Sequence, residues 1–109
     1  MVDYTNRVGF EVMRTFDSST LSGSYQAIGS VLAYPSRMHV WVNNCANIIT
    51  VSYDGTNAHL VLLPSSAFVL DFTSNAVSNA YLVVSQGTQP YVKGAASTGL
   101  IYLSCIYSQ

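Results

Sequence analysis

Charge is scarce in this chain of 109 residues: Asp, Glu, Lys and Arg together make up 8% of it, where a soluble domain usually carries about 25%. Only four residues are basic and the net charge is −1, so no basic stripe exists and nucleic acid is excluded as the main partner. Long apolar runs are also missing. The longest candidate, LVLLPSSAFVL, is interrupted by Pro64 and two serines, short of the ~18 residues of a membrane span. The opening MVDYTNR has no apolar segment of the signal-peptide kind, which leads us to expect a protein made and used in a cytoplasm.

Chemistry-bearing residues are equally few. Cys45 and Cys105 are the only cysteines, too few for a disulfide scaffold and placed in no CxxC pair, so they read as buried free thiols. The two histidines, His39 and His59, fall short of the three or four ligands a zinc site needs. Asp54 and Asp71, the only carboxylates after residue 17, are accounted for by a turn and a strand end. There is no G-x-S-x-G elbow, and GTQPYVKG lacks the P-loop spacing. The expectation is a protein without catalytic residues, metal or cofactor, and not an enzyme.

What is present is a hydrophobic half, a polar remainder of Ser, Thr, Asn and Gln, and eight tyrosines. Neutral polar groups cost less to bury against a partner than charges do, and tyrosine is enriched at interfaces. The composition favours a component of an assembly. A secreted β-domain with a Ser/Thr/Asn/Tyr surface is the other reading.

Strand patterns dominate from about residue 25. Met38, Val40 and Val42 alternate with His39 and Trp41; Ile49, Val51 and Tyr53 alternate with Thr50 and Ser52; Ile101, Leu103 and Cys105 alternate with Tyr102 and Ser104. Period two in β-branched and aromatic residues marks strands. YPSR, DGTN, LPSS, TSN, SQGT and KGAASTG supply turn chemistry between them, DG at 54–55 being the strongest hairpin signal. Pro90 reads as a strand start or an edge. The expected fold is all-β: an antiparallel sandwich of seven to eight strands, a jelly roll or another Greek key, over residues 25–109.

Residues 1–24 differ. Asp3, Arg7, Glu11, Arg14 and Asp17 hold more than half of the charge. Their spacing suits a short helix with i,i+4 pairs, while Val8, Phe10, Val12 and Phe16 read equally well as one face of a strand. We read an N-terminal arm or edge strand followed by a serine-rich hinge at 18–24, with an ordinary first strand of the sandwich as the alternative.

The order HVWVNN, ITVSYDGTNAHLVLLPSSAFVLDFTSN and GTQPYVKGAASTGLIYLS resembles small virion structural proteins of tailed bacteriophages. It is most similar to the jelly-roll decoration (cementing or staple) proteins on the outside of podovirus capsids. The resemblance covers residues 38 to 107 and rests on turn residues and strand patterning; the first 35 residues match none of its motifs. It implies a virion location, no catalysis, and a major capsid protein and further copies of this chain as partners. With that expectation, the residues predicted to contact a partner are Tyr4, Arg7, Phe10 and Arg14 in the arm and Arg37 and Trp41 on the body. Competing readings are a tail or collar accessory protein and a carbohydrate- or receptor-binding sandwich with Trp41 and the tyrosines stacked on sugar rings.

Overall fold

The computed structural model describes residues 8–71 and 84–108. Its strands are β1 (Val8–Phe10), β2 (Arg14–Asp17), β3 (Gln26–Ala27), β4 (Ser36–Cys45), β5 (Ile49–Ser52), β6 (Leu60–Leu62), β7 (Ser66–Asp71), β8 (Tyr91–Gly94) and β9 (Gly99–Ser108), with one 3-10 turn at Ser18–Thr20. All pairings are antiparallel. One sheet, here sheet A, runs β1-β9-β4-β7, with β2 also pairing β9; the other, sheet B, runs β3-β8-β5-β6. β1 lies against Ile106–Ser108 and β2 against Leu100–Leu103, so the two form one interrupted strand on a single edge. Counted that way the sheets read 1-8-3-6 and 2-7-4-5, the interleaved order of a jelly roll. Among the described residues the strand count is nine, above the expected seven to eight, because residues 11–13 break the first strand in two.

The two sheets pack on a core of Ile28, Leu32, Trp41, Ile49, Val51, Leu62, Val92, Ile101 and Leu103, all essentially inaccessible to solvent. β9 is built as its pattern predicts, with Ile101, Leu103 and Cys105 inward. β4 is turned over relative to a simple polarity reading. His39, Trp41, Asn43 and Cys45 point into the core, and Met38, Val40 and Val42 lie on the outer face.

That inversion holds because the inward Trp41, His39 and Asn43 side chains each find a hydrogen-bond partner. The Trp41 indole N–H donates to the Tyr53 hydroxyl oxygen at 3.0 Å, and the same hydroxyl is hydrogen-bonded to His39 Nδ1 at 2.9 Å. Asn43 Nδ2 donates to the carbonyls of Asn47, Leu62 and Leu63, and its Oδ1 accepts from Cys45 N at 3.1 Å. Asn43 thereby fastens the end of β4, in one sheet, to the end of β6, in the other.

Turn residues act where expected. Asp54 Oδ1 accepts from the backbone N–H groups of Thr56 and Asn57, both at 2.8 Å, and Gly55 takes a φ of +78° that favours glycine. The connection occupies residues 53–59, longer than the two-residue hairpin that Asp-Gly signals. Pro64 and Ser65 carry the chain from β6 to β7 and so from one sheet to the other. Pro90 immediately precedes β8 and is buried.

The boundary expected near residue 24 does not separate an arm from a body. β1 and β2 belong to sheet A, and the supposed hinge is stitched in: Ser18 is fully buried, its Oγ donates to Gly99 O at 2.7 Å, and its carbonyl accepts from Ser97 N at 3.0 Å. Leu21 is part of the core. Residues 8–24 are the first edge of the sandwich. Asp3, Tyr4 and Arg7 lie outside the described residues.

Candidate contact surfaces

Registers fix what each sheet shows to solvent, because cross-strand partners point to the same side. On sheet B the outward positions include Thr50, Tyr91 and Lys93, with Val61 at the edge; Ser52 shares their parity but is fully buried, its hydroxyl bonded within the Asp54 turn. The Lys93 ammonium sits 4.5 Å from the centre of the Tyr25 ring. Hydroxyls and a cation make an ordinary wet face.

The outer face of sheet A is different. Its rows, read across the strands, are Phe10–Ile106–Met38–Asp71, then Ser104–Val40–Val69, then Thr15–Tyr102–Val42–Ala67, and finally Asp17–Leu100–Asn44. Apolar side chains fill most of it, and several stay open to solvent: Phe10 is 72% exposed, Val69 56% and Leu100 37%. At these in-register positions the only charges are Asp17 and Asp71, on diagonally opposite corners. Arg37 is the extra residue of the bulge between Ser36 and Met38, at the border.

Beside this face, the break between β1 and β2 forms an open groove of about 560 Å³ lined by Phe10, Val12, Met13, Tyr34 and Tyr107, with Glu11 and Arg14 also in its wall. Val12 is 90% exposed and Met13 51%. The Tyr34 and Tyr107 rings stack with centroids 4.0 Å apart. Arg14 Nη2 meets Glu11 Oε1 at 3.0 Å, both side chains more than nine-tenths buried, and Glu11 Oε2 accepts from Tyr34 N at 3.3 Å. Gly29, with a φ of +71°, lies under the pair: a Cβ there would stand 2.7 Å from Arg14 Cδ. The pair is a structural tie inside the groove wall, and its partners consume both charges.

The expected contact residues therefore divide. Phe10 is exposed where the groove meets the apolar face. Arg37 is half-buried at the bulge. Arg14 is buried and ion-paired, and so not a free cation for a partner. Trp41 is fully buried and unavailable for a partner or for stacking on a sugar. Tyr4 and Arg7 lie outside the described residues. Val12, Met13, Tyr34, Val69 and Leu100 were not anticipated, although the sequence carried a signal for the last two. HVWV, AFVL and LIYL are apolar at both parities, the pattern of strands covered on both faces.

Groups that might carry chemistry are committed to structure. Burial, reinforced by the charge of Arg14, lowers the His39 pKa to about 4, and burial pushes the Cys105 thiol up to about 11 and raises Tyr53 well above its usual value. Hydrogen bonds from Asn57, Thr56 and Ser52 hold the Asp54 carboxyl far below the usual range. His59 Nδ1 accepts from Tyr53 N at 3.0 Å. Among the described residues no group of three or more His, Cys, Asp or Glu could hold a metal ion. Cys45 and Cys105 are buried and free. Cys45 pairs with Gly99 and Cys105 with His39, which puts the thiols at opposite ends of the strand pair, about 20 Å apart at ~3.3 Å per residue, beyond disulfide reach.

No protein-family model, curated protein or solved structure matches this chain.

Proposed function

We propose that this chain is a non-enzymatic structural protein of a virion, a jelly-roll decoration protein that binds the outside of a bacteriophage capsid and stabilises it. The observation that carries the reading is the exposed apolar surface of Phe10, Val12 and Met13 at the groove, beside the charge-poor outer face of sheet A. A monomeric domain rarely leaves so much contiguous apolar surface open, and such patches mark interaction sites. A protein that holds a shell works by contact area repeated over many copies, so each contact can be modest. The commitment of His39, His59, Asp54 and both thiols to internal bonds or to the core accords with a non-catalytic role. Jelly rolls serve many functions, so the virion assignment rests on the motif resemblance of residues 38 to 107 and not on the fold.

The carbohydrate-binding alternative loses its tryptophan, since Trp41 is inside the core, and keeps only the tyrosines. The tail or collar alternative differs only in the particle surface bound. The test is co-sedimentation of the purified chain with isolated phage capsids and, in parallel, with isolated tails. Saturable binding to capsids at many copies per particle, weakened by Val12→Asp, is the expected result. Binding confined to tails, or to neither, overturns the assignment.

A further inference from the structure

We infer that the outer face of sheet A is where two copies of this chain pack on each other, sheet against sheet about a two-fold axis. This goes beyond attachment to a shell, because it assigns that face to self-association and leaves the groove at the β1–β2 break for another partner.

The inference starts from the contrast between the two outer faces. If apolar exposure were only a consequence of low overall charge, both sheets would share it. Sheet B instead shows Thr50, Tyr91 and Lys93, with a single exposed valine, Val61, at its edge, while sheet A places Val40 beside Val69 and flanks that row with Val42 and Ile106. The strands of sheet A are apolar at both parities, as strands are when something covers each face. The sandwich core covers one of them.

Charge placement selects the occupant. Asp17 and Asp71 stand at diagonal corners, with Asp17 beside Leu100 and Asp71 beside Met38. A two-fold axis in the plane of the sheet, along or across the strands, sets each carboxylate over a corner that holds no charge among the described residues. A self-complementary patch of this kind is what an isologous interface requires. A partner of different chemistry, recognised by charge, would find almost nothing to read on this face.

Size sets the strength. Four strands at ~4.8 Å spacing and the rows from Met38 to Asn44 give a face about 19 Å by 20 Å. Two such faces bury about 800 Å² in total, below the size of a stable interface and in the range of a weak, transient one. The pairing is thus a reversible one in isolation, made firmer wherever copies are concentrated on a common surface.

Sedimentation velocity on the full chain, from about 1 µM to about 1 mM, tests this. A monomer–dimer equilibrium inside that range is expected. Val69→Lys and Val40→Lys should each raise the dissociation constant tenfold or more, while Val61→Lys, an equally exposed valine on sheet B, should leave it unchanged. Circular dichroism checks that the variants fold. Val69 is already more than half exposed, so its variant carries the test if Val40→Lys does not fold. A chain that stays monomeric to about 1 mM, a dimer indifferent to Val69→Lys, or one disrupted equally by Val61→Lys overturns the inference. Capsid binding retained in any of these cases leaves the functional proposal standing, and dimerisation without capsid binding does the reverse.

Discussion

Acid should loosen this protein through a single buried ring. His39 is fully buried on β4, between the Tyr53 hydroxyl at 2.9 Å and the Cys105 strand position that pairs with it. The same Tyr53 oxygen accepts from Trp41. Protonating the imidazole puts a cation in the core within range of Arg14. The folded pKa is accordingly about 4, against 6.5 for the free side chain. The sign follows directly. Above pH 6.5 both states are neutral at His39 and its contribution to stability is complete. Between 6.5 and 4 the unfolded chain binds a proton that the native state refuses, so stability falls as the pH falls, at up to about 1.4 kcal/mol per unit. By pH 4.5 the loss reaches about 2.5 kcal/mol. That is a sizeable share of the 5–15 kcal/mol that holds a domain of this size, and it lowers the melting temperature by about 10 °C. Urea denaturation of the wild type and of His39→Gln between pH 7 and 4.5 measures it. The variant is less stable at pH 7 and has a flatter profile. The carboxylates with lowered pKa values, Asp17 and Asp54, contribute below this window, since the stability they add is lost only as the pH drops through values under 3.8. A wild-type profile that is flat from 6.5 to 4.5, or an equal slope in His39→Gln, would refute the reasoning.

Asn43→Ala removes three donated bonds to carbonyls and leaves Cys45 N without the Asn43 Oδ1 acceptor. At about 1–3 kcal/mol for a buried group left unsatisfied, the loss should be about 3 kcal/mol in denaturant titration, and a cost below about 0.5 kcal/mol would mean that water replaces the side chain. A chain beginning at Ser24 loses β1, β2 and Leu21 and uncovers the edge of β9, so it should give the near-ultraviolet spectrum of an unfolded protein. A native spectrum from that chain would restore the reading of residues 1–24 as a separable arm.

How much of this was legible depends on whether the deciding contact was local. The alternation of Ile101, Leu103 and Cys105, the strand start at Pro90 and the turns at Asp54 and Pro64 needed only neighbours in sequence, and they stand where the pattern put them. The face of β4 could not be read that way. His39 and Asn43 look like solvent-facing residues until Tyr53, Leu62 and Leu63 arrive from the other sheet to bond them. The start of the chain misled for a similar reason. Val8, Phe10 and Val12 share a parity, yet Gly9 is the inward residue because the Tyr107 ring occupies the space where a side chain would point. Phe10 faces outward, and the chain breaks before Arg14 turns in. Glu11 and Arg14 resembled exposed helix charges; their burial depends on Gly29, Tyr34 and Cys105, all distant in sequence. Of the expected contact residues, Phe10 is the one the structure leaves widely open, because exposure is decided by these same long-range packings.

The scarcity of charge and the exposed apolar face have a common physical reading. Among the described residues, two of the few charges neutralise each other within the groove wall, and Asp54 is absorbed by its turn. What remains outside sheet B is too sparse to keep a lone domain dispersed by repulsion. Hydroxyls and Lys93 keep one outer face wet while the opposite face is apolar between two corner carboxylates, so the molecule presents two sides of different chemistry. A partner therefore meets it in a preferred orientation without needing a strong charge pattern. Adding charge to the apolar side should then improve solubility and weaken assembly together. Adding the same charge to sheet B should improve solubility alone, and that separation distinguishes a surface built for contact from one that is merely poor in charge.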